Sequence, residues 1–163
     1  MLGVRLSELE IDAHVSSAGF ASDGEPATAE TVRLLADRGI DVSAHRSRRI
    51  DNDITASSDL ILTAQHDHVV DIAGRSPELF DRTFTLPEFV ERAESVGARG
   101  DRTLDVWLES IGAGRPSAFD YLDAGDTGAI GEVADPTGRS PRDWAAAMTT
   151  LDQLTRRLAE LLS

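Results

Sequence analysis

A chain of 163 residues is long enough for one domain that buries roughly 70% of its unfolded surface, so neither disulfides nor a structural metal are required to hold it. It contains no Cys, which excludes disulfides, thiolate metal sites and any thiol nucleophile among these residues. Its basic residues are 16 Arg and no Lys against 29 acids, and the net charge of −13 argues against a general nucleic-acid or anionic-membrane binder. No stretch approaches the ~20 apolar residues of a membrane span and the first residues lack a signal-peptide core, so a cytoplasmic location is expected.

In chain order, Leu2, Val4, Leu6 and Leu9 have the spacing of a short helix, and Ala13 to Ser17 the composition of a strand closed by Ser17, Ala18 and Gly19. Pro26 stands where a second helix should open. Val32, Leu34, Leu35 and Ile40 supply its stripe and Gly39 its end. His45-Arg46-Ser47-Arg48-Arg49 is a basic patch in an acidic chain, by itself no more than a solvated turn. Ile50 to Ser57 reads as a helix and Leu60-Ile61-Leu62 as a strand buried on both faces. Gln65 to Ala73 follows as a helix with His66 and His68 at its solvated start, on different faces, so no metal pair is expected there.

Thr83 to Leu86 is a further strand, and Pro87 opens a helix to about Val96. This alternation predicts an α/β fold in three α-β-α layers, with a small parallel sheet and ligands beyond the carboxyl ends of its strands. Leu104, Trp107, Leu108 and Ile111 have helical spacing, whereas the Gly, Pro and Asp of Gly112 to Gly131 suggest a mobile surface stretch. The expectation is thus a single domain over 1–163 with an insertion around 97–131. Ser140 and Pro141 begin a last helix carrying Trp144, Met148, Leu151, Leu154, Leu158, Leu161 and Leu162. Ahead of it, Asp135-Pro136-Thr137-Gly138 presents one carboxylate on a turn between an apolar approach and a helix start.

Five segments in this order carry a resemblance: Val15-Ser16-Ser17-Ala18-Gly19; Gly39-Ile40-Asp41 with His45-Arg46-Ser47-Arg48; Asp59-Leu60-Ile61-Leu62; Phe84-Thr85-Leu86; and Asp135-Pro136. Together they resemble the low-molecular-weight protein tyrosine phosphatases, over nearly the whole chain except about 97–131. The resemblance implies a four-stranded parallel sheet flanked by helices, no cofactor and no metal. It also implies hydrolysis of phosphotyrosine or related phosphomonoesters through a phosphocysteine formed on a Cys-x5-Arg-Ser loop. Asp135 matches the acid that protonates the leaving oxygen, an effect worth about 10²- to 10⁴-fold. Ser17 and His45 match two polar residues that hold the nucleophile loop in shape.

The departures are equally specific. Met1 to Glu10 resembles the end of the helix that follows the nucleophile loop, so the family's first strand, its Cys and its Arg have no counterpart, and no residue here is a candidate nucleophile. Because that strand is central in the family, a gap with unpaired backbone is expected, and with it poor solubility or self-association through the incomplete sheet. Thr137 and Gly138 replace the aromatic pair that walls a phosphotyrosine ring, and Phe20 stands where a Thr often follows Ser-Ala-Gly. Two readings follow: a phosphatase whose start lies upstream of Met1, acting on a phosphotyrosyl protein or small aryl phosphate once the loop is restored, or an inactive pseudophosphatase serving as a binding or regulatory module.

Overall fold

Most helices begin where a short polar side chain can accept a hydrogen bond from an otherwise unpaired amide of the first turn. Thr28 does this for α2 (Ala29–Ala36), Asp51 for α3 (Asn52–Ala56), Thr85 for α5 (Leu86–Val96), Thr103 for α6 (Leu104–Gly112) and Ser140 for α8 (Pro141–Leu162). At α8 the cap is reciprocal, because the Asp143 carboxylate also accepts the Ser140 amide. The remaining helices are α1 (Leu2–Glu8), α4 (His66–Arg75) and α7 (Ala118–Asp123). The computed structural model describes residues 1–123 and 131–163.

Two strands, β1 (Ile61–Thr63) and β2 (Thr83–Thr85), pair in parallel with Ile61 opposite Thr83 and Thr63 opposite Thr85. A parallel pair requires a crossover, and α4 with the 3-10 turn Pro77–Arg82 supplies it. The protein is therefore an α/β fold built on a small parallel sheet. One apolar layer joins Phe84 of β2 to Phe89 and Val90 of α5, Trp107 and Ile111 of α6, and Leu154 and Leu158 of α8. Phe84, Phe89 and Trp107 meet edge to face at centroid distances of 5.2 and 5.6 Å, and the Trp107 indole donates to the Gly97 carbonyl at 2.9 Å. A second cluster joins Val69 and Ala73 of α4 to Phe80 and Tyr121. The amino end closes onto α8, with Leu6 buried and Arg5 Nη2 paired to Asp152 Oδ1 at 2.6 Å.

Three expectations need correction. Residues 13–17 form no strand: they are exposed, and the ladder contact of this region is one isolated bridge, Gly19 to Arg49, because no strand lies alongside them among the described residues. Pro26 does not open α2. It pairs in an isolated antiparallel bridge with Arg46, and the helix starts three residues later where Thr28 offers a side-chain acceptor that proline lacks. Leu60, Ile61 and Leu62 are half-buried rather than enclosed, since β1 has a strand neighbour on one edge only among the described residues. Within Gly112 to Gly131 residues 113, 114, 116, 117, 119 and 120 are exposed, while the Arg115 side chain at 3% exposure and Tyr121 at 2% turn inward. Residues 124–130 lie outside the described residues.

Arg115 explains why that stretch turns inward. Its guanidinium lies 3.9 Å from the Phe80 ring centroid and 4.1 Å from that of Phe84, while Nε and Nη2 donate to the two Glu88 oxygens at 2.9 and 3.2 Å. The Tyr121 hydroxyl reaches the same carboxylate at 3.5 Å. Burial, reinforced by the Glu88 charge, pushes the Tyr121 phenol from 10.0 up to about 12. The folded state thus holds that proton more tightly than the unfolded chain, so the stabilisation is complete below pH 10 and is lost as pH rises through about 12. Alkaline titration followed by circular dichroism should show stability falling across this window. Tyr121→Phe should flatten the fall, and an unchanged alkaline profile in that variant would contradict the assignment.

Candidate active site

The segment 131–138 crosses the carboxyl ends of both strands and is tied there at three points. The Val133 amide donates to the Ala64 carbonyl at 2.9 Å, the Thr85 hydroxyl donates to the Gly131 carbonyl at 3.0 Å, and a Glu132 oxygen accepts the His66 amide at 2.7 Å. Glu132 thereby caps α4, whose own N-cap, Gln65, makes no side-chain bond. Gly131 is required by space, because a Cβ there would stand 2.9 Å from Pro87 Cβ. Val133 anchors the segment in the core at 4% exposure.

Beyond these anchors Asp135 stands exposed, its Oδ1 accepting the Thr137 amide at 2.9 Å, and Gly138 completes the turn at a φ of 74°. Hydrogen bonds from Thr137 hold the Asp135 carboxyl below its ordinary value, with smaller help from the charges of Arg139 and His68. At neutral pH this group is a carboxylate. A proton donor of the expected kind would need that environment altered, by displacement of the Thr137 contact or by an adjacent anion.

Ser17 and His45 come together elsewhere. Both are exposed and line one open cavity of ≈ 400 Å³ with Arg46 and Arg48 and the amino end of α1. Arg48 donates through Nε and Nη2 to the Ser17 carbonyl at 3.2 and 3.0 Å, and Arg46 Nη1 donates to the His45 carbonyl at 2.7 Å. The Ser17 hydroxyl and the His45 ring make no hydrogen bond among the described residues. Neither bonds to Asp135. His68, Ser16 and Ser17 line a second cavity.

Both histidines of α4 depart from a solvated helix start. His68 is half-buried and stacks on Phe20 at 4.5 Å, with the Arg75 guanidinium 6.0 Å from the same ring. His66 is 7% exposed and stacks on Tyr121 at 4.6 Å. A signal for His66 was present, since it precedes Val69 by three and Ala73 by seven residues and so lies on the buried stripe. The anchors Thr85 and Glu132 carry no comparable mark.

An exposed, looped carboxylate at the carboxyl ends of parallel strands, with arginines and unbonded Ser and His side chains beside a neighbouring cavity, suits chemistry on an anionic ester. The family model described as low molecular weight phosphotyrosine protein phosphatase matches residues 2–99. The chain belongs to this family. It is 29% identical to the protein-arginine-phosphatase of Geobacillus stearothermophilus, over 91% of this chain and 76% of that protein. Among solved structures, the arginine phosphatase YwlE of G. stearothermophilus matches with a TM-score of 0.67 and 26% identity, covering 98% of this chain and 80% of that one. The low molecular weight protein tyrosine phosphatase of T. tengcongensis matches with a TM-score of 0.71 and 26% identity, covering 99% and 86%. No Cys is present in this sequence to serve as the thiol nucleophile.

Proposed function

We propose that these 163 residues act as a single domain in phosphomonoester hydrolysis and do so only with a nucleophile and anion loop supplied by polypeptide outside them. In this reading Asp135 is the general acid, and Ser17 and His45 support the incoming loop. The observation that carries it is the placement of Asp135 on a segment pinned to the ends of both strands, while the Ser17 hydroxyl and the His45 ring, beside Arg46 and Arg48, make no hydrogen bond among the described residues. The substrate would be a phosphotyrosyl protein or a small aryl phosphate or, as a phosphoramidate rather than an ester, a phosphoarginyl protein. A cytoplasmic site of action accords with such substrates. Thr137 and Gly138 leave no aromatic wall after Asp135-Pro136, which favours a substrate other than phosphotyrosine.

A second reading, an inactive binding or regulatory module, draws support from the missing Cys and from the Thr137 contact that keeps Asp135 ionised. Both readings predict that the chain alone hydrolyses p-nitrophenyl phosphate no faster than buffer. Turnover that disappears in Asp135→Ala would overturn both, because a nucleophile would then have to exist within these residues.

A further inference from the structure

Arg115 and Tyr121 turn inward from an exposed stretch, and what they touch is the footing of the segment that carries Asp135. That segment is tied at Gly131, Glu132 and Val133, and two of these ties rest on residues that the inward pair covers. The Glu132 oxygen accepts the His66 amide, and the His66 ring lies near-parallel on Tyr121, 4.6 Å away at an interplanar angle of 25°. The Gly131 carbonyl accepts the Thr85 hydroxyl, whose oxygen in turn accepts the Glu88 amide at 3.2 Å. Glu88 takes both hydrogen bonds from Arg115, and the Arg115 guanidinium lies 4.9 Å from the centroid of the Tyr121 ring. A hydrogen bond fixes a segment only as firmly as its other partner is held, and here both partners are backed by the same buried pair.

We propose that Arg115 and Tyr121 are positioning residues: as a buried brace behind His66 and Glu88 they set where the segment 131–138, and with it Asp135, stands at the carboxyl ends of β1 and β2. The Tyr121 ring does this rather than its hydroxyl. The ring stacks on His66 and meets Phe80 edge to face at 5.1 Å, whereas the hydroxyl only just reaches Glu88, at 3.5 Å. The importance of the place of Asp135 rests on its role as the general acid, but the brace is a matter of position that is measured without catalysis, so either can fail alone.

Because the sequence contains no Cys, spin labels can be placed on introduced thiols alone. In the full chain, Thr137→Cys with Asp71→Cys, both at exposed positions, reports the distance from the acid segment to α4 by double electron–electron resonance. Asp71→Cys with Ser95→Cys reports α4 against α5 as a control. Tyr121→Ala should broaden the first distance distribution roughly twofold and leave the second unchanged. Tyr121→Phe, which keeps the ring, should keep both distributions as in the parent. An unchanged first distribution in Tyr121→Ala would overturn the proposal, and so would a Tyr121→Phe protein as broad as Tyr121→Ala. Equal broadening of both pairs would overturn it too, since Tyr121 would then serve overall folding and not the acid segment. Should Tyr121→Ala fail to fold, amide exchange of the parent in sub-denaturing urea decides: the amides of Tyr121, His66 and Val133 should open in one event, and opening of His66 and Val133 apart from Tyr121 overturns the brace.

Discussion

Glu88→Ala should destabilise the protein by about 3–5 kcal/mol, the cost of leaving one partner of a buried ion pair uncompensated. Arg115 has no alternative home: its side chain is 3% exposed, flanked by Phe80 and Phe84, and its one further hydrogen bond goes to the Phe80 carbonyl at 2.7 Å. Glu88 also receives Arg92 at 3.3 Å, so its removal frees two cations, one of them dry. At about 2–4 °C per kcal/mol for a domain of this size, the melting temperature should drop by roughly 10 °C, readable by calorimetry. The paired change Glu88→Leu with Arg115→Met should recover most of the loss, because matched apolar side chains replace a buried pair at little cost. A Glu88→Ala protein within 1 kcal/mol of the parent, by the precision of urea melts, would mean that water reaches the guanidinium.

Grafting a strand, a Cys-containing loop and a helix turn ahead of Met1 should restore phosphatase activity if the proposed role of the chain is right, and Asp135→Asn in that protein should then slow poor leaving groups by about 10²- to 10⁴-fold. Activated aryl phosphates, whose phenolates leave without a proton, should be slowed far less. Substrate affinity should scarcely change, because the anion belongs to the loop and its arginine. Because the Thr137 hydrogen bonds hold the Asp135 pKa below its ordinary value, the acid's role in that protein requires the restored loop or bound anion to raise it, and rates with alkyl phosphates should fall as pH rises through that raised value. Ser17→Ala or His45→Ala should reduce both leaving-group classes alike. Equal losses across a leaving-group series for Asp135→Asn would remove it from the acid's role, and a well-folded graft without turnover would favour the regulatory reading.

What the sequence disclosed depended on how local the governing physics is. Leu60–Leu62 and Thr83–Leu86 are short apolar runs between turn residues, and both became strands within a residue of their expected bounds. Ser140-Pro141 announced α8 because a cap and a proline act within one turn. Ala13–Ser17 has the composition of a strand, but composition records the ability to pair and not the presence of a partner. Arg115 was illegible for a related reason. An arginine among Gly and Pro is ordinarily solvated, and its inward course depends on Phe80, Phe84 and Glu88, which approach it only after β2 and α5 have packed. Asp135 could be recognised as a presented carboxylate from Pro136 and Gly138 alone, whereas its anchors at Ala64, His66 and Thr85 lie more than 45 residues away and share no pattern with it.

The contact of α1 with α8 has a consequence for the order in which the molecule assembles. Arg5 and Asp152 are separated by 147 positions, so joining them closes nearly the entire chain, and a helix of seven residues has almost no existence in water before a surface receives it. The units β1, α4, β2 and α5 are contiguous and can collapse early on local contacts. The first helix described is then a late arrival, held by Leu6, by Leu2 against the main core and by one part-buried ion pair. Its departure would open one wall of the cavity beside Ser17 and His45, which Met1, Leu2 and Gly3 line. Access to that cavity is therefore governed by the weakest cooperative unit of the fold rather than by its overall stability.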